Sequence, residues 1–167
     1  MTHIVVSPLS RLEAQIALHQ PSHILSLSSS DLPLTPSPVT RLSLTFNDIV
    51  EPRAGLIMPD ESHVRQILAF AEDWDCSKPM LIHCYAGVSR STASAYIMAL
   101  ALNPALDEGA LAQKLRQLSP SATPNTRLIA LADQILARNG RMVDAIKTIG
   151  RGRDAFEGEV FSLPVAD

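Results

Sequence analysis

The sequence has few cysteines, few aromatic residues and no excess of positive charge. Its 167 residues include two cysteines, Cys76 and Cys84, too few for a disulfide-stapled scaffold. Aromatic residues make up 4% of the chain, so a core must be built mainly from Leu, Ile, Val and Ala. The net charge of −3 provides no general basic surface, so we expect neither nucleic acid nor a membrane as a partner. Any preference for anions must therefore be local.

Long apolar segments are also scarce. The longest nearly apolar stretch, residues 93–102, is much shorter than the about 20 residues that a membrane-spanning helix needs. No positively charged, apolar leader opens the sequence, so we expect no signal peptide and a cytoplasmic location. Apolar residues nevertheless make up 46% of the chain, which suits one globular domain with a real core.

Apolar periodicity predicts alternating strands and helices. Short β-branched or alternating segments favour strands over residues 3–6, 23–28, 41–46 and 80–83. Helical spacing predicts helices over residues 9–19, 60–74, 88–102, 107–118, 124–138 and 142–149. Strands that alternate with helices indicate an α/β fold, with a mostly parallel central sheet flanked by helices.

The domain organisation follows from where this periodicity stops. Residues 32–38 contain three prolines and are predicted to form an extended connector. We expect a single domain over residues 1–150. Residues 151–167 combine glycine and charge without clear periodicity, which predicts a mobile C-terminal tail.

One segment combines a strand, a tight loop and the start of a helix. An apolar run from Met80 leads to His83 and Cys84, and Arg90 follows after five intervening residues. Backbone N–H groups at such a junction point into the loop, and the helix dipole adds partial positive charge. The junction is therefore a ready-made anion site, with Cys84 at its entrance and Arg90 at its far side.

The residue types in this segment suit nucleophilic attack on a phosphate. Cysteine attacks as a thiolate, which nearby positive charge stabilises, and Arg90 offers a planar fork that matches two phosphate oxygens. Gly87 permits backbone angles closed to other residues and allows an oxyanion to approach closely. Ser91 can hydrogen-bond the sulfur and ease its departure, and His83 can orient Cys84.

The pattern His-Cys-x-x-Gly-x-x-Arg-Ser resembles the signature of the cysteine-dependent protein tyrosine phosphatase superfamily. The matching residues are His83, Cys84, Gly87, Arg90 and Ser91. The resemblance implies the compact, dual-specificity-like version of that fold over about residues 3–140. It also implies a phosphate-binding loop formed by the residues that follow the cysteine, namely Tyr85, Ala86, Gly87, Val88, Ser89 and Arg90.

The resemblance further implies an activity. It predicts hydrolysis of phosphotyrosine in proteins or peptides, and also of phosphoserine or phosphothreonine in a dual-specificity enzyme, through a phosphocysteine intermediate. Phosphate, vanadate or sulfate would bind in the loop, and no cofactor is needed. The other histidines show no metal-ligand spacing with each other or with the cysteines, so we expect no metal site.

This chemistry needs a general acid that protonates the leaving group and later deprotonates water. In the superfamily the acid is an Asp on a loop before the cysteine. Asp48 directly follows a predicted strand and is the favoured candidate, although Asn-Asp is also a common turn pair. Asp31, after the second strand, is the alternative, whereas Asp60 suits a helix N-cap.

Two further residues are candidates for accessory roles. Pro124 and Asn125 resemble the family's late Pro-Asn element, so Asn125 either positions the loop or the hydrolytic water, or is an ordinary first-turn helix residue. Cys76 could form a disulfide with an oxidised Cys84, or it could lie at a helix end without a redox role.

Other functions that use a cysteine and an anion-binding loop are alternatives to a protein phosphatase. The loop contains no cation except Arg90, which favours phosphoproteins over highly acidic phosphoinositides. A rhodanese-like sulfurtransferase or an arsenate reductase is one alternative, although sulfur transfer needs no leaving-group acid such as Asp48. A non-catalytic phosphate-binding module is another, although such proteins usually lose the cysteine or the arginine.

Overall fold

The structure is a computed structural model that describes residues 2–32 and 38–165. The strands in this part of the chain are β1 (His3–Pro8), β2 (His23–Ser28), β3 (Thr40–Thr45), β4 (Met80–Cys84) and β5 (Phe161–Pro164). The helices are α1 (Leu12–His19), α2 (Glu61–Asp73), α3 (Arg90–Leu102), α4 (Glu108–Leu118), α5 (Thr126–Ile135) and α6 (Arg141–Ile149). A 3₁₀ turn, Leu9–Arg11, leads into α1.

The five strands form one sheet in the order β3-β2-β4-β1-β5. The pairs β2–β3, β2–β4 and β1–β4 are parallel, and only β5 runs antiparallel to its neighbour β1. The predicted α/β fold with a mostly parallel sheet is therefore confirmed. Parallel strands place their carboxyl ends along the same edge, and at this edge Pro8 is in register with Cys84.

Helices cover both faces of the sheet because the inner strands are apolar on both sides. In β1, Ile4 and Val6 face the larger core under α2 to α6, while Val5 packs with Leu12 of α1 on the other face. The helix α3 is buried along nearly its whole length, as its almost uniformly apolar sequence predicts. Because α3 is buried, its packing in the core holds its N-terminus close to the end of β4.

The C-terminal segment differs from the expectation. Residues 161–164, predicted to belong to a mobile tail, form β5 and extend the sheet beside β1. Phe161, Leu163 and Val165 are buried, and alternating apolar residues over such a short segment are what an edge strand requires. The prediction of a mobile tail is therefore wrong for these residues, whereas residues 166–167 lie outside the described part of the chain.

The start of α5 also differs. The helix is predicted to begin at residue 124, but Asn125 is its N-cap, and Asn125 Oδ1 accepts hydrogen bonds from the N–H groups of Arg127 and Leu128. Asp60, by contrast, caps α2 as predicted.

Residues 33–37 of the predicted connector lie outside the described residues. Within residues 2–32 and 38–165, no helix has the length and apolar character needed to cross a bilayer.

Candidate active site

The loop between β4 and α3 turns sharply around Gly87. We call residues 85–89, which join Cys84 to Arg90, the Cys84 loop. Gly87 has a φ of +70°, and a Cβ at this position would lie 2.8 Å from the backbone nitrogen of Pro8. Both the backbone angle and the close contact with β1 therefore require glycine.

The carbonyl groups of the Cys84 loop are held on its outer side. Four of them accept hydrogen bonds from backbone N–H groups of other segments. The four bonds run from Leu9 to Tyr85 (3.1 Å), from Gly158 to Ala86 (2.8 Å), from Thr123 to Val88 (2.9 Å) and from Asn125 to Ser89 (3.2 Å). Because these carbonyls point outward, the N–H groups of the loop are free to converge on an anion inside it.

The sulfur of Cys84 lies at the base of this loop. Ser91 Oγ is 3.1 Å from Cys84 Sγ, and the N–H of Gly87 donates to the sulfur over 3.3 Å. Cys84 is buried, and the loop that follows it leads directly to the N-terminus of α3. A hydroxyl and an amide therefore lie within hydrogen-bond distance of the sulfur, close to a helix N-terminus.

The guanidinium of Arg90 is fixed behind the loop but is not fully hydrogen-bonded. Its Nη1 donates to Ser29 Oγ over 3.0 Å and to the carbonyl oxygen of Phe46 over 2.9 Å. Arg90 is only 6% exposed, and its Nε has no hydrogen-bond partner among the described residues. A buried N–H without a partner is costly, and an anion in the Cys84 loop would supply one.

The imidazole of His83, the residue before Cys84 in β4, is buried. His83 Nε2 lies 2.7 Å from Ser26 Oγ, and Ser26 Oγ also accepts a 2.8 Å hydrogen bond from Arg41 Nε. Burial, followed by the positive charges of Arg41 and Arg90, lowers the pKa of His83 to about 4. His83 is therefore neutral at physiological pH, and a neutral imidazole can accept from the Ser26 hydroxyl.

Sequence reasoning did not single out Ser26. It lies in β2 in register with His83 of β4, and both side chains are buried. A serine at a buried position of an otherwise apolar strand was the available signal, because such a hydroxyl needs a hydrogen-bond partner.

The carboxylate of Asp48 lies against the Cys84 loop. We call residues 46–60, which follow β3 and contain Asp48, the Asp48 loop. Asp48 Oδ1 accepts hydrogen bonds from Ser89 Oγ over 2.7 Å and from Asn125 Nδ2 over 2.8 Å. Asp31, the alternative acid, instead accepts from Thr45 Oγ1 at the exposed end of β3. The structure thus brings Asp48 to the loop that holds the cysteine and the arginine.

Asn125 connects three parts of this site. Its Oδ1 caps α5, its Nδ2 donates to Asp48 Oδ1 and to the carbonyl oxygen of Ile49, and its backbone N–H donates to Ser89. The side chain is buried, so these bonds are shielded from water. Asn125 therefore lies where a residue that positions the candidate acid is needed.

Cys76 is remote from the site. It precedes β4, whereas Cys84 ends β4, and both cysteines are free. A strand of this length places the Cα atoms of Cys76 and Cys84 more than about 7 Å apart. A disulfide cannot span that distance. Burial, followed by the charge of Asp75, raises the pKa of the Cys76 thiol, which makes it less reactive. The arrangement does not support a protective disulfide with Cys84.

The C-terminal segment supplies a residue that sequence reasoning missed. The N–H of Gly158 bonds to Ala86, and a Cβ on Gly158 would lie 2.5 Å from the carbonyl oxygen of Gly87. Nearby, Glu159 Oε2 accepts from Ser121 Oγ over 2.8 Å. The segment expected to be a tail therefore packs directly on the Cys84 loop.

The fold agrees with that of known phosphatases. No protein family matches the chain, and no curated protein matches it. Among solved structures, DUSP15 is similar with a TM-score of 0.62 at 16% identity, over 89% of this chain and 94% of that one. Human DUSP28 gives a TM-score of 0.63 at 18% identity, over 81% of this chain and 89% of that one. The Yvh1 phosphatase domain from Chaetomium thermophilum gives a TM-score of 0.61 at 18% identity, over 83% of this chain and 93% of that one.

These similarities establish the class of fold. The chain has the compact α/β fold of the dual-specificity phosphatases, as the resemblance of its Cys84 segment implies.

Proposed function

We propose that the protein is a cysteine-dependent phosphatase that hydrolyses phosphotyrosine in proteins or peptides. The observation that carries this proposal is the hydrogen bond between Asp48 and Ser89, which places an acid at the rim of a loop that contains Cys84 and Arg90. A nucleophile, an anion cradle and a leaving-group acid are the three parts that phosphomonoester hydrolysis requires. The dual-specificity phosphatase fold supports the same assignment.

In the first step, the Cys84 thiolate attacks phosphorus and the bond between phosphorus and the leaving oxygen breaks. The N–H groups of residues 85–89 and the free Nε of Arg90 bind the equatorial phosphate oxygens, whose charge must be stabilised as the bonds rearrange. Asp48 transfers its proton to the leaving phenoxide. Its Oδ1 is held by Ser89 and Asn125, which leaves Oδ2 to carry this proton.

In the second step, water attacks the phosphocysteine. Asp48, now a carboxylate, takes a proton from the water, and the bond between sulfur and phosphorus breaks. The electron pair returns to Cys84 Sγ, where the hydroxyl of Ser91 at 3.1 Å can donate a hydrogen bond to the departing thiolate. His83 is neutral and bonded to Ser26, so it takes no part in proton transfer.

Two other functions fit parts of the site. A sulfurtransferase or arsenate reductase would use Cys84 and the loop amides, but it would have no use for Asp48 beside Ser89. A phosphate-binding module would use Arg90 and the loop, but it would have no use for a thiol stabilised by Ser91 and Gly87. The phosphatase uses all of these residues.

Hydrolysis of p-nitrophenyl phosphate by the wild type, Cys84→Ser and Asp48→Ala tests the proposal. We expect Cys84→Ser to be inactive and Asp48→Ala to lose about a hundredfold in kcat together with the alkaline limb of the pH profile. Vanadate should inhibit the wild type tightly, because it mimics the five-coordinate transition state. Consumption of thiosulfate without phosphate release would identify a sulfurtransferase, and binding of phosphotyrosine without turnover would identify a binding module.

A further inference from the structure

The exposed apolar side chains are concentrated around the candidate site. In the described part of the chain, six large apolar side chains are exposed, and five of them lie in the Cys84 loop or on segments that border it. We call these five residues the apolar rim: Val50, Leu56, Ile57, Tyr85 and Phe156. The sixth, Leu18, lies at the end of α1, toward the amino ends of the parallel strands and thus at the opposite edge of the sheet.

One side of the apolar rim adjoins the candidate acid. Val50 follows Asp48 by two residues, and the intervening carbonyl of Ile49 is held by Asn125. Ile57 lies on the returning arm of the same loop, where its backbone exchanges hydrogen bonds with Asn47. Val50 and Ile57 are 48% and 51% exposed, although the loop around them is held by these bonds.

The other side of the rim adjoins the start of the Cys84 loop. Tyr85 directly follows the cysteine and is 62% exposed, and its carbonyl is fixed by Leu9. Phe156 is 82% exposed and lies two residues before Gly158, whose N–H is bonded to Ala86. The apolar rim therefore has members on segments that contact both ends of the Cys84 loop, at Ser89 through the Asp48 loop and at Ala86 through the segment of Gly158.

A groove continues the rim on the side of the acid. It has a volume of about 410 Å³ and lies between the Asp48 loop and α5. Val50 lines it together with Leu131, and Glu51 and Arg127 border it with opposite charges. The groove is large enough for an apolar side chain of a substrate and offers no cluster of positive charge for a second phosphate.

We propose that the apolar rim binds the residues that flank the phosphorylated residue, so that the protein prefers phosphopeptides with large apolar side chains beside it. A concentration of exposed apolar side chains beside a site is typical of a surface that a partner covers. A small, highly charged phosphate ester would leave them in water, whereas an apolar peptide segment would bury them. This inference rests on the proposed phosphatase function and adds the class of peptide.

The test compares two phosphotyrosine peptides of equal length and charge, one with Leu and Phe beside the phosphotyrosine and one with Ser and Gly. Rates are normalised to the hydrolysis of p-nitrophenyl phosphate, which is too small to cover the rim. We expect kcat/KM to be about tenfold higher for the apolar peptide, mainly through a lower KM. The combined substitution Val50→Ser, Ile57→Ser and Phe156→Ser should reduce this preference to about twofold or less.

Leu18→Ser is the matched control, because it removes an apolar side chain far from the loop that is more exposed than Val50 and Ile57. It should leave the preference unchanged. Equal kcat/KM values for the two peptides in the wild type, or a preference that survives the triple substitution, would overturn the inference while leaving the phosphatase function intact. If the wild type hydrolyses neither peptide nor p-nitrophenyl phosphate, the proposed function fails. Binding of the two peptides to Cys84→Ser then tests the rim alone, and equal Kd values would refute it.

Discussion

Asn125 Nδ2 donates a 2.8 Å hydrogen bond to Asp48 Oδ1, although 77 positions separate the two residues in the sequence. The same Asn125 side chain caps α5, so the candidate acid is attached to the end of a helix. Asp48 is itself exposed, whereas Asn125 is buried. The position of the candidate acid is therefore held by hydrogen bonds from Asn125 and Ser89 rather than by burial of Asp48.

Substitutions of Asn125 should separate its two roles. Serine is also a good N-cap, but its side chain is too short to donate to Asp48, so Asn125→Ser should keep the stability of α5 and lower kcat about tenfold. Asn125→Ala should lower kcat to a similar extent and also cost about 1 kcal/mol in the free energy of unfolding. Steady-state kinetics and urea unfolding measure the two effects. Full activity of Asn125→Ser would show that the bond to Asp48 has no catalytic role.

The low pKa of His83 predicts that the protein loses stability in acid. The unfolded chain binds a proton at His83 below about pH 6.5. The folded chain binds it only below about pH 4, because burial and the charges of Arg41 and Arg90 oppose it. Since the unfolded state binds more protons between these two values, stability falls as the pH decreases from about 6.5 to about 4. The loss attributable to this group is up to about 3 kcal/mol.

Denaturant unfolding at pH 7 and pH 4.5 measures this dependence, and His83→Gln provides the reference. Carboxylates titrate in both proteins, so the difference between the two pH dependences isolates the imidazole. We expect the wild type to lose more stability than His83→Gln over this interval. Equal losses would mean that His83 is protonated in the folded protein near its ordinary pKa.

Gly158 should be required for the shape of the Cys84 loop. In Gly158→Ala the new Cβ would overlap the carbonyl oxygen of Gly87 and displace the loop, since 2.5 Å is far below a normal contact. We expect vanadate affinity to fall at least about tenfold and kcat to fall with it, because the loop amides lose their alignment. Ala155→Ser, an exposed substitution in the same segment, should change neither quantity. Unchanged vanadate affinity in Gly158→Ala would show that the segment does not shape the loop.

Much of the fold was predictable because the local signals agree with the tertiary structure. The apolar strand that ends at Cys84, the almost wholly apolar helix behind Arg90 and the Asp60 cap each depend on neighbouring residues in the sequence. The residue types of the Cys84 loop and the Asp after β3 also predict the parts of the candidate site. The fold comparisons agree with the architecture derived from these elements.

What the sequence did not reveal depends on contacts between distant segments. The strand β5 is four residues long, and its pairing with β1 stabilises it more than any local preference. Ser26 interacts with His83 only because β2 and β4 are neighbours in the sheet, and Gly158 is needed only because Gly87 lies against it. No periodicity or local motif in the sequence predicts these contacts.

The most direct test of the central proposal is rapid-quench kinetics with p-nitrophenyl phosphate, followed by mass spectrometry of the peptide that contains Cys84. The wild type and Asp48→Ala should both release a burst of p-nitrophenol, and in Asp48→Ala the burst should equal the enzyme concentration, because the acid also activates the hydrolytic water. The quenched Asp48→Ala protein should carry one phosphoryl group on Cys84. The absence of a phosphocysteine, together with turnover that persists in Cys84→Ser, would contradict the proposed mechanism.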